Sequence, residues 1–313
     1  MKKIICLLLI ILVSNISDSQ WVRITGNLDT YSLSYNGNKM YAGTYDKGVY
    51  YSSNNGVNWV QTSLNNRDVR SLACMGNYVI AGTRGYGVYY STNSGTSWLQ
   101  SNLVSEKIWS FAVIGNYIFA GSDDKGVYIS VNNGVTWSQT SMNNKDVNYL
   151  YPSGTILFAA VGADGWGVFA SPDNGATWSN VGDIGIGTYS VAVSGNYIYA
   201  GPYYSGIQFT TDAGITWIQS SFDLGTAAAI AVTGNNVFAG TEGFGFKVSN
   251  DNGTTWTHRS EGLGSGYLSA LCIINNTIYA CTGSGVYKRS LSEIIGISQI
   301  SNEIPQEYRL YQN

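Results

Sequence analysis

Two of the nine tryptophans, Trp109 and Trp166, stand outside a regular spacing that accounts for the other seven. An aromatic side chain that no structural pattern explains is a candidate for ligand contact, because a ring offers a large contact area. Rings beside polar groups suit a sugar or a peptide, although the same rings could simply plug the mouth of a channel. The candidate ligand-binding residues are Arg70, Trp109, Trp166 and, in loops equivalent to that of Trp166, Tyr45, Tyr86, Tyr204 and Phe244.

Paired carboxylates would support a different chemistry, the hydrolysis of a glycosidic bond. Six acidic residues fall in the same group of loops: Asp46, Asp68, Asp124, Asp146, Asp164 and Glu242. Loops of this kind are rich in solvated carboxylates, so these residues alone do not identify an acid and a nucleophile. No catalytic residue is assigned, and hydrolysis stays open as the alternative to binding.

Metal and nucleic-acid functions find little support in the composition. The chain has a single histidine, His258, and no cysteine cluster, so neither a metal site nor a cofactor is expected. Two of the four cysteines, Cys272 and Cys281, fall on adjacent predicted strands. A turn at residues 275–276 would place Cys272 opposite Tyr279, so buried thiols are favoured over a disulfide, which would need a register shift or a bulge. A net charge of −3 gives no reason to expect a nucleic-acid partner.

The elements that position these residues follow from an eight-residue motif, Ser/Thr-x-Asp/Asn-x-Gly-x-x-Trp, which occurs six times at steps of 39 to 41 residues. Such a regular period predicts a repeat architecture. The Asp or Asn side chain can accept hydrogen bonds from its own turn, the Gly can adopt a positive φ, and the Trp can anchor the next strand. The structural positions are Asn54, Gly56 and Trp59; Asn93, Gly95 and Trp98; Asn132, Gly134 and Trp137; Asp173, Gly175 and Trp178; Asp212, Gly214 and Trp217; and Asp251, Gly253 and Trp256.

This motif is the Asp-box, and the chain resembles the Asp-box (bacterial neuraminidase repeat) β-propellers. That group includes sialidases, sortilin-type receptors, xyloglucan-cleaving enzymes and photosystem-assembly-factor-like propellers. Enzymes and non-enzymes share the box, so the resemblance implies a fold and not a reaction. A sialidase would need arginines from several blades around one substrate carboxylate, whereas only Arg70 of the seven arginines maps to an innermost strand. A glycoside hydrolase of the sialidase-like group is therefore the alternative, and a binding module is the main prediction.

The repeat predicts an all-β, seven-bladed propeller of four-stranded blades over residues 20–290. Trp21 lies 38 residues before Trp59, at the repeat position, but no motif precedes it. We therefore expect residues 21–24 to supply the last strand of a blade whose first three strands are residues 268–273, 277–282 and 285–289. This closure would cover the sheet edges that open β proteins expose. Ala-Gly pairs at the end of the second strand, such as Ala42-Gly43, should let neighbouring blades approach closely.

The topology assigns loops to two faces. The turn face carries the first hairpin turns and the eight-residue turns, and the loop face carries the connections between strands two and three and those between blades. Trp109 and Trp166 both map to the loop face, where a rigid scaffold can present recognition residues. The positions equivalent to Trp109 hold Tyr31, Arg70, Asn148 and Tyr189, and Tyr203 accompanies Tyr204.

The two ends of the chain indicate export. Lys2 and Lys3 precede an apolar run over residues 4–13, so residues 1–19 are predicted to be a cleaved signal peptide that is too short to span a membrane. Residues 291–313 are predicted to be a linker, and residues 304–313 resemble the start of a type IX secretion C-terminal sorting domain whose continuation is missing. The resemblance implies a secreted or cell-surface protein that meets the secretion machinery through that missing domain. Its ligand would be a glycan, a peptide or another protein.

Overall fold

The computed structural model describes residues 20–162, 165–182, 184–264 and 266–296. Their strands form seven antiparallel blades of four strands each, so the predicted all-β, seven-bladed propeller is confirmed. The first strand of each blade contacts the first strands of both neighbouring blades, and the last blade contacts the first. The first strands therefore surround a central axis, and a complete ring leaves no blade with an open face.

The strands follow one another in the same order in every blade. The chain opens with β1 (Val22–Arg23). Blade 1 consists of β2 (Thr30–Asn36), β3 (Lys39–Thr44), β4 (Gly48–Ser52) and β5 (Val60–Gln61). Blade 2 consists of β6 (Val69–Met75), β7 (Tyr78–Thr83), β8 (Val88–Ser91) and β9 (Leu99–Gln100). Blade 3 consists of β10 (Ile108–Ile114), β11 (Tyr117–Ser122), β12 (Val127–Ser130) and β13 (Ser138–Gln139). Blade 4 consists of β14 (Val147–Ser153), β15 (Ile156–Val161), β16 (Gly167–Ser171) and β17 (Ser179–Gly182).

The remaining blades repeat this pattern with one addition. Blade 5 consists of β18 (Thr188–Ser194), β19 (Tyr197–Pro202), β21 (Gln208–Thr210) and β22 (Ile218–Gln219), and the two-residue strand β20 (Ser205–Gly206) pairs in parallel with the next blade. Blade 6 consists of β23 (Gly225–Thr233), β24 (Asn236–Thr241), β25 (Phe246–Ser249) and β26 (Thr257–His258). Blade 7 contains β27 (Leu268–Ile274), β28 (Thr277–Thr282) and β29 (Gly285–Ser290), and the short helix α1 (Leu291–Ile294) follows.

The N-terminal strand closes the ring as predicted. Strand β1 pairs antiparallel with β29, with Val22 opposite Lys288, and it forms the outer edge of blade 7. The Trp21 side chain beside it is buried, and its indole N–H donates to the Arg259 carbonyl at 2.8 Å. Its ring meets that of Phe246 edge to face, with centroids 4.9 Å apart. Because Arg259 and Phe246 belong to blade 6, the first residues of the chain connect the last two blades.

The eight-residue turns have one hydrogen-bond pattern in all six copies. The Ser or Thr hydroxyl accepts from the Gly N–H at 2.8–3.0 Å and donates to the Asp or Asn Oδ1. The same Oδ1 accepts from the N–H of the residue before the Trp at 2.8–2.9 Å. The six Gly φ values lie between +83° and +94°, as the motif predicts. The turn is thus a self-contained unit, which explains its tolerance of either Asp or Asn.

Small residues at the ends of the second strands admit the neighbouring blade. A Cβ atom added to Gly43 would lie 2.7 Å from Val69 Cγ1 and 2.9 Å from the Val69 carbonyl oxygen, both on the first strand of blade 2. The predicted close approach of neighbouring sheets is therefore present in the structure. The three described cysteines are free thiols, and Cys272 lies opposite Tyr279 as predicted. Burial raises the pKa of the Cys272 thiol to about 11.

Helix α1 begins the segment predicted to be a linker, and it packs on the turn face. Leu291 and Ile294 are buried in the same apolar cluster as Trp21. The Leu291 N–H donates to the Asn276 carbonyl at 3.0 Å, in the first hairpin turn of blade 7. The predicted signal peptide (1–19) and the sorting-domain resemblance (304–313) lie outside the described residues. No helix in the described ranges is long and apolar enough to cross a membrane.

Candidate functional site

A bulge interrupts the first strand of every blade at the same position. The pairing with the second strand shifts by one residue there, for example between Thr30 and Ser32. A bulged residue is left out of the ladder, and the bulge re-aims its side chain. The seven bulged residues are Tyr31, Arg70, Trp109, Asn148, Tyr189, Ala228 and Ser269. All seven line one central cavity of about 340 Å³, so each blade contributes a residue to it.

Arg70 occupies an aromatic niche on one side of this cavity. Its guanidinium carbon lies 3.7 Å from the centroid of the Tyr31 ring and 5.8 Å from that of Trp109. Its Nη2 donates to Asp68 Oδ2 at 2.8 Å, and its Nε lies 2.7 Å from Asp68 Oδ1. Burial opposes the charge of Arg70, but Asp68 outweighs it and raises the pKa of Arg70 above its usual value. The charge of Arg70 is therefore already balanced within the protein.

Trp109 is held by a carboxylate rather than by apolar packing alone. Its indole N–H donates to Asp123 Oδ1 at 2.9 Å, and Lys107 forms an ion pair with the other oxygen of Asp123. Burial alone would raise the pKa of Asp123, but the hydrogen bonds from Lys107 and Trp109 lower it below its usual range. Asp123 is therefore ionised at neutral pH and fixes the orientation of the Trp109 ring.

Tyrosines form the other side of the cavity. The rings of Tyr189 and Tyr203 meet edge to face with centroids 5.6 Å apart. Asn148 Nδ2 donates to the Tyr203 hydroxyl at 3.1 Å and to the Thr188 carbonyl at 2.9 Å. Burial, followed by the neighbouring Tyr267, raises the pKa of Tyr189. This side of the cavity therefore presents neutral phenols whose hydroxyls can donate or accept hydrogen bonds.

The predicted ligand-binding residues divide into two groups. Arg70 and Trp109 line the cavity, and the Tyr45 ring centroid lies 5.9 Å from the Arg70 guanidinium carbon. The other four are about half exposed or more, each on a loop of a different blade: Tyr86, Trp166, Tyr204 and Phe244. The structure thus brings three of the seven together and leaves the other four exposed on separate loops. Tyr86 is covered on one side by Arg67, whose guanidinium carbon lies 4.4 Å from its ring centroid.

Sequence reasoning named neither Asp123 nor Tyr267, which both line the cavity. Asp123 is the first residue after the second strand of blade 3. It lies 78 residues after Tyr45 and 39 before Gly162, so aligning the repeats residue by residue would have placed it at the same position as Tyr45. Tyr267 directly precedes the first strand of blade 7. The 39-residue step from Ala228 falls on Tyr267, but the bulge lies two residues later at Ser269.

Several acidic residues of the loop face are engaged in ion pairs. Asp68 and Asp123 are engaged in ion pairs with Arg70 and Lys107, and Asp124 pairs with Lys125 at 3.1 Å. Asp164 lies outside the described residues. In the described part of the chain, no group of three or more His, Cys, Asp or Glu side chains is placed to hold a metal ion.

Comparison with known proteins places this fold among β-propellers. No protein-family model matches the sequence, and no curated protein matches it. The structure of YCF48 bound to D1 peptide is 12% identical, with a TM-score of 0.69 over 87% of this chain and 96% of YCF48. The extracellular domain of the putative hybrid two component system BT4673 from B. thetaiotaomicron is 13% identical, with a TM-score of 0.71 over 87% of this chain and 40% of that one.

An enzyme is also among the similar structures. The GH74 xyloglucanase from Xanthomonas campestris is 16% identical, with a TM-score of 0.69, and the match covers 88% of this chain and 54% of the enzyme. Identities this low show a shared fold and nothing more. The propellers with this fold include binding proteins and glycoside hydrolases, so the function has to be argued from the cavity.

Proposed function

We propose that this protein is a binding module that takes a glycan or a peptide at the central cavity of the loop face. One observation carries the proposal: seven bulged residues, one from each blade, converge on a single cavity lined by Tyr31, Trp109 and Tyr189. Aromatic walls with a few fixed polar groups are typical of ligand sites, and about 340 Å³ lies within the usual size range.

The fixed orientation of the rings supports binding over mere filling of the channel. Asp123 holds the Trp109 indole, and Asn148 holds the Tyr203 hydroxyl. Side chains held before the ligand arrives lose little entropy on binding, which raises affinity. The exposed rings of Tyr86, Trp166 and Tyr204, on loops of three different blades, would give a longer ligand further aromatic surface.

We further propose that the protein works outside the cell or at its surface, as an Asp-box propeller exported by a signal peptide over residues 1–19. The apolar run after Lys2 and Lys3 supports export. A similar structure is an extracellular domain, and another was solved with a peptide bound. The resemblance of residues 304–313 to a sorting domain would add the secretion machinery as a partner.

The test is a glycan and peptide array probed with the chain from Gln20 onward. With a ligand from the array, Trp109→Ala and Trp166→Ala should each weaken binding at least about fivefold, because losing an aromatic anchor commonly costs about 1–3 kcal/mol. Asn116→Ala, in an exposed hairpin turn of the turn face, is the matched control and should leave affinity unchanged.

Two outcomes would contradict this proposal. Absence of any ligand on both arrays would argue against a binding module. Loss of affinity in Asn116→Ala but not in Trp109→Ala would move the binding surface to the turn face. A panel of chromogenic glycosides separates the alternative, since hydrolysis abolished by Glu242→Gln would favour a glycoside hydrolase.

A further inference from the structure

The two sides of the cavity differ in how their charges are balanced. On the side of blades 1 to 3, Arg70 is paired with Asp68, and Asp123 is paired with Lys107. Both of these charged lining residues, Arg70 and Asp123, have an opposite charge within the protein, and Tyr31 covers one face of the guanidinium. An anionic ligand would have to displace Asp68 from Arg70, so this side is a poor site for a carboxylate or a phosphate.

On the opposite side two carboxylates accompany the tyrosines: Asp146, which lines the cavity, and Glu242, which lies next to its lining. Glu242 is half-buried, and its backbone forms a bridge with that of Tyr267. Within the described residues, no Lys, Arg or His forms an ion pair with Glu242. Burial raises the pKa of Glu242. Burial also raises the pKa of Tyr189 and Tyr203, with further rises from Tyr267 for Tyr189 and from Asp146 for Tyr203, and a smaller one from Glu242 for both. Glu242 directly follows the second strand of its blade, the position that the lining residues Asp123 and Tyr203 hold in theirs, and its bridge to the lining residue Tyr267 places it next to the tyrosine side of the cavity.

We infer that the tyrosine side of the cavity receives the positively charged side chain of a lysine or arginine from a peptide or protein ligand. This inference rests on the binding function proposed above and narrows it to one ligand class. The faces of Tyr189, Tyr203 and Tyr267 attract a cation through their quadrupoles. Glu242 supplies the charge opposite to that of the ligand, and the bound cation would give this partly buried carboxylate the charged partner that it otherwise lacks.

The same features disfavour the other candidate ligands. A neutral sugar could stack on the rings and accept hydrogen bonds from the phenols, but it would leave the charge of Glu242 uncompensated. An acidic ligand would be repelled by Glu242 and would find Arg70 occupied by Asp68. A cavity of about 340 Å³ is at the small end for ligand sites, which suits one extended side chain rather than a folded segment.

The experiment uses the chain from Gln20 onward, immobilised through its C-terminus, to select binders from a random heptapeptide display library. Enriched peptides are synthesised and titrated by calorimetry against the wild type, Glu242→Gln and Glu293→Gln. The last variant is the matched control, because it removes the same charge from the exposed Glu293 of α1, on the turn face. Melting temperatures establish that all three proteins are folded.

The inference expects enriched peptides to share a Lys or Arg. Replacing that Lys with norleucine, a near-isostere without charge, should weaken binding at least about tenfold, in line with the loss of a hydrogen bond between charged groups. Glu242→Gln should weaken binding of the lysine peptide by a similar factor and that of the norleucine peptide hardly at all, whereas Glu293→Gln should change neither. The norleucine comparison needs no variant of the protein.

Three other results would contradict the inference of a cationic ligand. Peptides without a basic residue that bind in a manner sensitive to Trp109→Ala would leave the binding function in place and remove the cationic ligand. Binding of a neutral oligosaccharide with no enriched peptide would also leave the binding function in place, but it would replace the cationic ligand with a glycan. Failure of the arrays and of the library together would count against the binding function itself.

Discussion

The guanidinium carbon of Arg70 lies 3.7 Å from the centroid of the Tyr31 ring, and these two residues occupy equivalent bulges in neighbouring blades. The contact joins blades 1 and 2 at the central axis, where the second strand of blade 1 already packs against Val69. Asp68 holds the guanidinium from its other edge with two contacts below 3 Å. Arg70 therefore shapes the cavity wall by connecting two blades, and its stability contribution can be measured without any ligand.

Replacing Arg70 with Gln should destabilise the fold by roughly 1–3 kcal/mol, because it leaves the mostly buried Asp68 carboxylate without its charged partner. Adding Asp68→Asn should restore part of that loss, since the unpaired charge is then removed as well. Urea denaturation of the wild type, both single variants and the double variant gives the coupling free energy. A double variant as unstable as the sum of the two single variants would show that the pair is not coupled.

Deleting residues 20–26 should lower the free energy of unfolding by several kcal/mol. The deletion removes the outer strand of blade 7 and exposes the edge of β29, and it takes away the buried Trp21 ring. Trp21→Ala in the intact chain should produce a large part of the same loss, about 3–5 kcal/mol for a buried large aromatic residue. Thermal and urea unfolding measure both. An unchanged melting temperature in the deletion variant would contradict closure by β1.

Gly253→Val should destabilise by more than about 1 kcal/mol, because a β-branched residue does not readily adopt the observed φ of +84°. The added side chain would also start 3.1 Å from Tyr199 Cε1. Asp251→Asn should be milder, because Asn132 shows how the amide can replace the carboxylate by donating to Thr136 Oγ1 at 2.9 Å. Equilibrium unfolding of the two variants tests this order, and the reverse order would refute the hydrogen-bond account of the turn.

The aspartates of the turns should make stability depend on acidity. Hydrogen bonds, first from the Thr210 hydroxyl and then from Thr216, lower the pKa of Asp212 from 3.8 to about 2. Hydrogen bonds from Thr177 lower the pKa of Asp173, and those from Thr255 and Ser249 lower that of Asp251 despite partial burial. A carboxyl whose pKa is lower in the folded state stabilises above its unfolded pKa and loses that effect as the pH falls through the folded pKa.

The melting temperature should therefore fall between about pH 4 and pH 2 through these three groups. The triple variant Asp173→Asn, Asp212→Asn and Asp251→Asn has no carboxylate to take up a proton at these positions. Its melting temperature should therefore fall less over the same pH range. Blades 1 to 3 already carry Asn at the equivalent position and serve as internal evidence that the turn tolerates the change. Identical acid profiles for the wild type and the triple variant would contradict the prediction.

The architecture could be predicted from the sequence because each repeat carries the same residue types at the positions that determine its turns and its packing. The Gly of each turn and the small residues beside the next blade each have one geometric reason, and the structure shows the positive φ of the former and the close approach of the latter at Gly43. The closing strand was readable because Trp21 occupied the repeat position without a preceding turn. These features are local or strictly periodic, so a single sequence specifies them.

The cavity was only partly readable because it depends on strand register. The bulge at Tyr31, Arg70 and Trp109 shifts the pairing by one residue, and the first strand alone does not reveal it. The ion pair between Asp68 and Arg70 and the hydrogen bond from Trp109 to Asp123 depend on side-chain directions set by that bulge. Sequence patterns therefore predicted which residues reach the loop face but not which of them form ion pairs or hydrogen bonds with one another there.

The position of helix α1 on the turn face determines the direction of the cavity when the protein is held at that helix. The Asn250 side chain donates to the Ile295 carbonyl at 3.5 Å, and the Leu291 N–H donates to the hairpin turn of blade 7, so α1 is fixed to the turn face. A support that holds the protein at α1 would therefore lie beneath the turns. The tyrosines and Glu242 would then be directed away from that support, toward whatever approaches from the surrounding medium.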